Sequence, residues 1–485
     1  MKKILIFFVF ASAIGTNLPV HGQTVSETEA TVIAGNWIKT IIGETGSWGN
    51  FETAQIGTIQ EFKRKNRKLG YFCHVKPVGF IVVSQRKELA PVKAYSALSN
   101  LDPYQDEGMA DLLKVCLERI IDTIEQKLGQ PIDMVKSSVL QNMVEINYKP
   151  EWSNLLHNEP IFKIKNKEKS KDNYEEGDIL LSSDWNQGPP YNDDCPWLNC
   201  GNSNGRAVVG CVATAGAQIM HYWNWPPYGS GTGYSDTYDW PNMPDAATTS
   251  SPQAEINALA ELNSEVGIGA GMSYGCNSSG TPTSNMVGVY ENLYRYSTSC
   301  VVRNRPSYSA DTWFAMMQVQ FNQNRPVQYR VVNHSIVGDG WQIIGDNLKM
   351  YHMNYGWGGT GNDTWYILDA LHLGNPSEEY MIEGIIPVQA MDNWITGTYN
   401  VPSLPYRYFD KDALGSNANF GSGHFLQFLP EVVLSGISST LPVRFNGSTY
   451  YNTRLYTAGD DTRGIRIYNG AIEMTNFGSM KFYEE

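Results

Sequence analysis

The stretch that decides the reading is Val209-Gly210-Cys211-Val212-Ala213-Thr214-Ala215, continuing through Gln218-Ile219-Met220 and Tyr222-Trp223-Asn224-Trp225 to Pro226. Apolar side chains fall nearly all round the helical wheel from Val212 to Trp223, which predicts a helix buried on every side and stopped by Pro226 and Pro227. Cys211 opens that helix. A thiol at this position lies over free backbone N–H groups at the positive end of the helix dipole, one of the settings that turn a cysteine into a nucleophile. Gly210, just before it, would let a substrate backbone approach the sulfur. Equally, Cys211 could be a small buried residue capping an apolar helix.

Three further stretches bear on the choice. Asn333-His334-Ser335-Ile336-Val337-Gly338-Asp339-Gly340-Trp341 places a histidine at the start of an apolar strand, where it is either a base or a satisfied structural residue. Asn354-Tyr355-Gly356-Trp357-Gly358-Gly359 follows another strand and surrounds a tryptophan with glycines. Upstream of the cysteine, Asn186-Gln187-Gly188 reads by itself only as a turn.

The chain has 485 residues, 42% of them hydrophobic, enough to bury several cores, so two to four domains are expected. A formal net charge of -13 argues against a nucleic-acid footprint or a polybasic membrane surface. Lys2 and Lys3 ahead of the apolar run from Ile4 to Ile14 predict a signal peptide over residues 1–22, hence an exported protein that is released or held at the cell surface or in the periplasm. No other stretch is long and apolar enough to span a bilayer, so no stable membrane insertion is expected. Seven cysteines, at 73, 116, 195, 200, 211, 276 and 300, leave one unpaired if the rest bridge. Cys195 and Cys200 either close a small loop or are two loop thiols. No Cys-x-x-Cys or His-x-x-x-His spacing supports a metal site, and no cofactor is expected.

Four regions follow along the chain. After residues 1–22, residues 23–178 read as a self-contained α+β unit plus a polar linker. Its helix runs from Met109 toward Lys127, with Leu112, Leu113, Cys116, Ile120, Ile121 and Ile124 on one stripe, and its strands include Phe80-Ile81-Val82-Val83-Ser84. The lysine-rich run from Lys163 to Asp178 predicts a solvated segment open to proteolysis. Residues 179–390 carry the chemistry, with antiparallel strands predicted at Val327 to Val332, Ser335 to Ile344 and Leu348 to Asn354 and a hairpin turn at Gly345-Asp346-Asn347. Residues 391–485 break into short strands such as Leu441-Pro442-Val443-Arg444-Phe445 and Gly464-Ile465-Arg466-Ile467-Tyr468, which predict a small all-β accessory domain.

Taken in order, the glutamine turn, the cysteine helix, the histidine strand and the Gly-Trp-Gly stretch resemble the streptopain family of papain-like cysteine proteases. The likeness is strongest from 209 to 226 and from 354 to 359, and it extends over about residues 180–390. Residues 79–84 and 90–96 make the preceding unit similar to that family's inhibitory propeptide. The resemblance implies an α+β, papain-like fold in two parts, a helical one bearing the nucleophile helix and an antiparallel β one bearing the histidine. It implies a zymogen of a cysteine endopeptidase acting on protein or peptide substrates, with the propeptide as an intramolecular inhibitor. By the same resemblance Cys211 is the nucleophile, His334 the general base, and Gln187 an oxyanion donor beside the Cys211 N–H. Asn354 and Trp357 would orient and shield the imidazole, and Ser279, Gly280 and Asn333 would line the substrate cleft. An apolar side chain two residues from the scissile bond on the acyl side would be preferred. Two departures stand out: Asn333-His334-Ser335 replaces an expected Gly-His-Ala, and Cys276 is foreign to its cleft loop. Two other readings compete, a Cys-His amidase of cell-wall peptides and an inactive surface-binding or adhesion module.

Overall fold

In the computed structural model the described residues are 24–386, apart from residues 106–107, 158–173, 227–237, 295, 346, 360–363 and 369–377, together with the backbone of short strands between residues 408 and 484. The predicted signal peptide therefore lies outside the described residues. The chain begins with α1 (Glu27–Thr45), opened by a reciprocal cap between Ser26 and Glu29 and closed at Gly46 with φ 85°. A meander follows of β1 (Gln55–Arg64), β2 (Arg67–Lys76), β3 (Phe80–Ser84) and β4 (Val92–Ser96). Then come α2 (Gly108–Leu128), α3 (Ser137–Gln141) and α4 (Lys149–Leu156). The apolar stripe read for α2 is buried at Leu112, Leu113, Ile120, Ile121 and Ile124.

The second part contains α5 (Cys211–Trp223), α6 (Gln253–Gly269), α7 (Asn285–Gly288), β5 (Val301–Asn304) and α8 (Ala310–Asn322). Its later strands are β6 (Val327–Val331), β7 (His334–Ile344), β8 (Leu348–Asn354), β9 (Thr364–Tyr366) and β10 (Tyr380–Glu383). Ile344 faces Leu348 in the antiparallel β7–β8 pair, so the hairpin falls where the glycine-containing turn predicts it.

The two parts are less separate than the sequence suggests. One ten-stranded sheet runs in the order β1-β2-β3-β4-β9-β8-β7-β6-β10-β5. It crosses the seam through Ala94 paired with Tyr366 and Tyr95 with Trp365, reinforced by the Ile367 N–H donating to the Lys93 carbonyl at 2.9 Å. One hydrophobic core likewise joins Trp37, Phe72 and Tyr95 to Trp313, Tyr351 and Trp365. The first unit is thus not closed on itself: β4 is buried along its length, its outer edge is paired by β9 of the second unit, and the two share one core. A second core surrounds α5 and α6.

The polar run at 163–178 also needs correction at its end, since residues 163–173 lie outside the described residues and the rest is docked. Tyr174 is buried against Phe321 and Trp341, and the Gly177 N–H donates to the Trp341 carbonyl at 2.9 Å. Beyond residue 400 short strands pair, among them Thr453–Thr457 with Ser479–Glu484 and Ile465–Tyr468 with Ala471–Met474. No described helix is long and apolar enough to cross a membrane.

Candidate active site

Helix α5 starts at Cys211 because Gly210, at φ 92°, turns the chain through a conformation that L side chains rarely adopt. A Cβ at Gly210 would stand 2.8 Å from the Ser279 carbonyl oxygen and 2.9 Å from Met272 Sδ. The glycine is therefore required by the protein's own loop at 273–280, rather than by an approaching substrate backbone. The helix N-terminus leaves its first N–H groups without intrahelical partners, beside the Cys211 sulfur.

Five cysteines are unpaired, and electrostatics separates them. Burial pushes the thiols of Cys73, Cys195 and Cys300 up to about 12, and that of Cys116 up as well, which leaves all four protonated and inert. Burial acts the same way on Cys211. There it is outweighed by the charge and hydrogen bond of His334, the Ser335 N–H and the positive charge of Arg330, so the Cys211 thiol falls below its ordinary range.

His334 is the first residue of β7 and faces Val331 of β6 across a two-residue turn formed by Val332 and Asn333. Asn333 sits at φ 55°, a left-handed conformation that asparagine tolerates best among residues with a side chain. This explains how asparagine stands where glycine was expected: the backbone is kept, and an exposed amide is added at the rim. The imidazole Nε2 donates to the Tyr355 carbonyl at 2.8 Å, which leaves Nδ1 as the nitrogen for the sulfur. Trp357 stacks on the ring, with centroids 4.1 Å apart and planes 21° apart.

Asn354 is not placed as expected. Its side chain is engaged elsewhere, Nδ2 donating to the Ser183 carbonyl at 2.7 Å and Oδ1 accepting from Gln218 Nε2 at 3.1 Å and from the Gly356 N–H at 3.0 Å. It shapes the turn that carries Tyr355 and Trp357, and the group holding the imidazole directly is the Tyr355 carbonyl. That backbone oxygen was not foreseeable from residue types. Gln218 was a visible signal, a polar residue in an otherwise apolar helix, seven positions and about two turns after Cys211. It is fully buried and also accepts from Ser183 Oγ and the Trp185 N–H.

Gln187, Cys211, Ser279, Asn333, His334 and Trp357 line one cavity of about 550 Å³, with Asn277 and Ser278. The Gln187 carbonyl accepts from the Val209 N–H at 2.9 Å, which holds its segment beside Cys211. Ser279 Oγ donates to the Val208 carbonyl at 2.6 Å. Gly280 pairs with Ser273 and is not among the residues lining the cavity, and neither is Asn354. The remaining lining comes from the first unit, as Leu101, Gln105, Gly108 and Met109.

The cysteine pairing is the clearest correction. Cys200 is bonded to Cys276, 76 residues away, and Cys195 is left as a buried thiol, so no small loop is closed between 195 and 200.

A cysteine of lowered pKa on a buried helix, a histidine on a facing strand and a preceding unit set into the cleft between them define a papain-like cysteine endopeptidase carried with its own inhibitor domain. Residues 185–366 match the Peptidase C10 family and residues 22–120 the Spi protease inhibitor family. Streptopain of Streptococcus pyogenes is 27% identical over 338 residues, covering 63% of this chain and 75% of that protein. The thiol protease/hemagglutinin PrtT of Porphyromonas gingivalis is 31% identical over 212 residues, 40% of this chain and 23% of that protein. A solved fragment of Prevotella intermedia prointerpain A shares the fold, with a TM-score of 0.50 and 23% identity over 69% of this chain and 99% of that one. The chain is a streptopain-like cysteine protease in zymogen form.

Proposed function

We propose that this protein is an exported endopeptidase working through an acyl-enzyme on Cys211. The observation that carries this reading is that Cys211 alone among the unpaired cysteines has a lowered thiol pKa, through His334. The thiolate attacks the scissile carbonyl carbon, and the carbonyl electron pair moves onto oxygen. That oxyanion is met by the Gln187 side chain and the Cys211 N–H. Collapse breaks the C–N bond as His334 hands its proton to the leaving amine. His334 then deprotonates the water that hydrolyses the thioester.

Trp357 shields the imidazole and the Tyr355 carbonyl fixes its tautomer. Ser279 and Asn333 contact the substrate from the cleft wall they both line. Leu101, Gln105, Gly108 and Met109 line the cleft in the precursor, so inhibition is relieved by cutting within about 163–178. Residues 1–22 direct export. Residues 179–390 form the catalytic domain and residues 391–485 an accessory β-domain.

The test compares casein digestion and labelling by a thiol-directed peptide inhibitor in the processed protein and in Cys211→Ala. The wild type is expected to cut and to label once per chain, and the variant to do neither. A wild type that neither cuts casein nor labels would favour an inactive binding module, and one that cuts only peptidoglycan would make it an amidase.

A further inference from the structure

The Cys200–Cys276 disulfide has no part in the chemistry above, and yet it joins the two segments that shape the cleft. Cys276 belongs to the 273–280 loop, of which Asn277, Ser278 and Ser279 stand in the cavity wall with Cys211. Cys200 belongs to the segment that runs on to Val208, Val209 and Gly210 immediately before the nucleophile. The Ser273–Gly280 pair closes the loop on itself, and besides the disulfide the two segments are joined by the Val208 N–H donating to the Gly275 carbonyl at 3.1 Å and by Ser279 Oγ donating to the Val208 carbonyl at 2.6 Å. The fit leaves no slack, since even a single Cβ added at Gly210 would stand 2.8 Å from the Ser279 carbonyl oxygen. Accessibility is asymmetric: Cys200 is buried and Cys276 is exposed. A disulfide with one exposed cysteine residue is open to an external thiolate from that side, and exposed disulfides are the labile ones.

We propose that the Cys200–Cys276 disulfide is a redox-sensitive clamp on the substrate-binding wall. Closed, it holds Asn277, Ser278 and Ser279 against the nucleophile segment. A dithiol reductant opens it by supplying two electrons and two protons, so that the Sγ–Sγ bond becomes two thiols and the reductant closes to its own disulfide. The wall then loosens, and peptide binds less well while the Cys211–His334 pair is untouched. The inference rests on the peptidase reading above, in which this wall contacts substrate.

The decisive comparison is the processed wild type against Cys200→Ser/Cys276→Ser on an extended peptide substrate. The double variant is expected to show KM raised about tenfold with kcat within about twofold, the pattern of lost ground-state binding. Wild type equilibrated in glutathione buffers of falling potential should reproduce that KM rise, and the variant should not respond. Oxidation of Cys211 itself removes active sites and lowers kcat, which separates the two thiol events. Hydrogen exchange over residues 273–280 reads the clamp with no substrate present and should quicken on reduction, including in a wild type that proved inactive. An unchanged KM in the variant, a kcat that falls as far as kcat/KM, or exchange indifferent to reduction would each overturn the proposal. If the variant loses its thermal transition, exchange in the wild type decides alone.

Discussion

Each residue of the site is defined by what its neighbours do to its charge. Burial alone would keep Cys211 protonated, and only the imidazole, the Ser335 N–H and Arg330 reverse that. Alkylation by iodoacetamide should therefore follow a thiolate that persists below the ordinary cysteine range. In His334→Ala the rate-versus-pH curve should shift upward, because burial then acts with less opposition. Gln187 adds no charge but lines the same cavity as the sulfur, and the role proposed for it is to meet the oxyanion. Gln187→Ala is expected to lower kcat about 10²-fold, roughly 3 kcal/mol of transition-state stabilisation, with KM nearly unchanged. An equal loss in KM would mean that Gln187 binds the ground state instead. Local pattern marked Cys211 as a helix start and Gln187 only as part of a turn, their roles coming from the resemblance of the whole ordered set, whereas the acceptor for His334 is a main-chain carbonyl that no residue type announces.

At the level of elements, the site depends on how closely α5 meets the 273–280 loop. Gly210 combines a positive φ with a site where an added Cβ would stand 2.8 Å from the Ser279 carbonyl oxygen, a backbone atom that cannot swing aside. Gly210→Ala should destabilise the fold by about 1–3 kcal/mol for the backbone conformation alone, measured by thermal melting, and should abolish activity by displacing the cysteine. A variant with normal stability and activity would show that the loop adapts. Strand and helix positions were legible because apolar periodicity is local: α5, β7 and β8 fall within a residue or so of where alternation and helical spacing put them. The role of Asn354 was not, because its partners Ser183, Gln218 and Gly356 lie on three different segments.

Across the whole molecule, the precursor is tied together at a seam where β4 and α2 meet the β part of the enzyme. Glu379 lies at that seam. It keeps some surface of its own, yet its carboxyl accepts from the Tyr329 hydroxyl at 3.2 Å and is packed near Arg305, Glu378, Lys93 and Cys116. Burial raises its pKa from 4.5 to about 7, which Arg305, the Tyr329 hydroxyl and Lys93 only partly offset. A raised carboxyl stabilises the folded precursor fully below about 4.5, and that contribution is lost as pH rises through about 7. The thermal midpoint of the precursor should accordingly fall between pH 5 and pH 8, and Glu379→Gln should flatten that slope. An equally steep profile in the variant would place the titration elsewhere. The amino-acid sequence by itself determined the elements and the order of the glutamine, cysteine and histidine stretches, because these follow from short-range periodicity and turn chemistry. Only the tertiary structure decided that β4 pairs with β9, that Cys200 chooses Cys276 over Cys195, and that Leu101, Gln105, Gly108 and Met109 line the cavity of Cys211. Each of these joins segments roughly 75 to 270 residues apart, and their meeting is set by which apolar faces bury one another, a property of the assembled cores that no local window of residues contains.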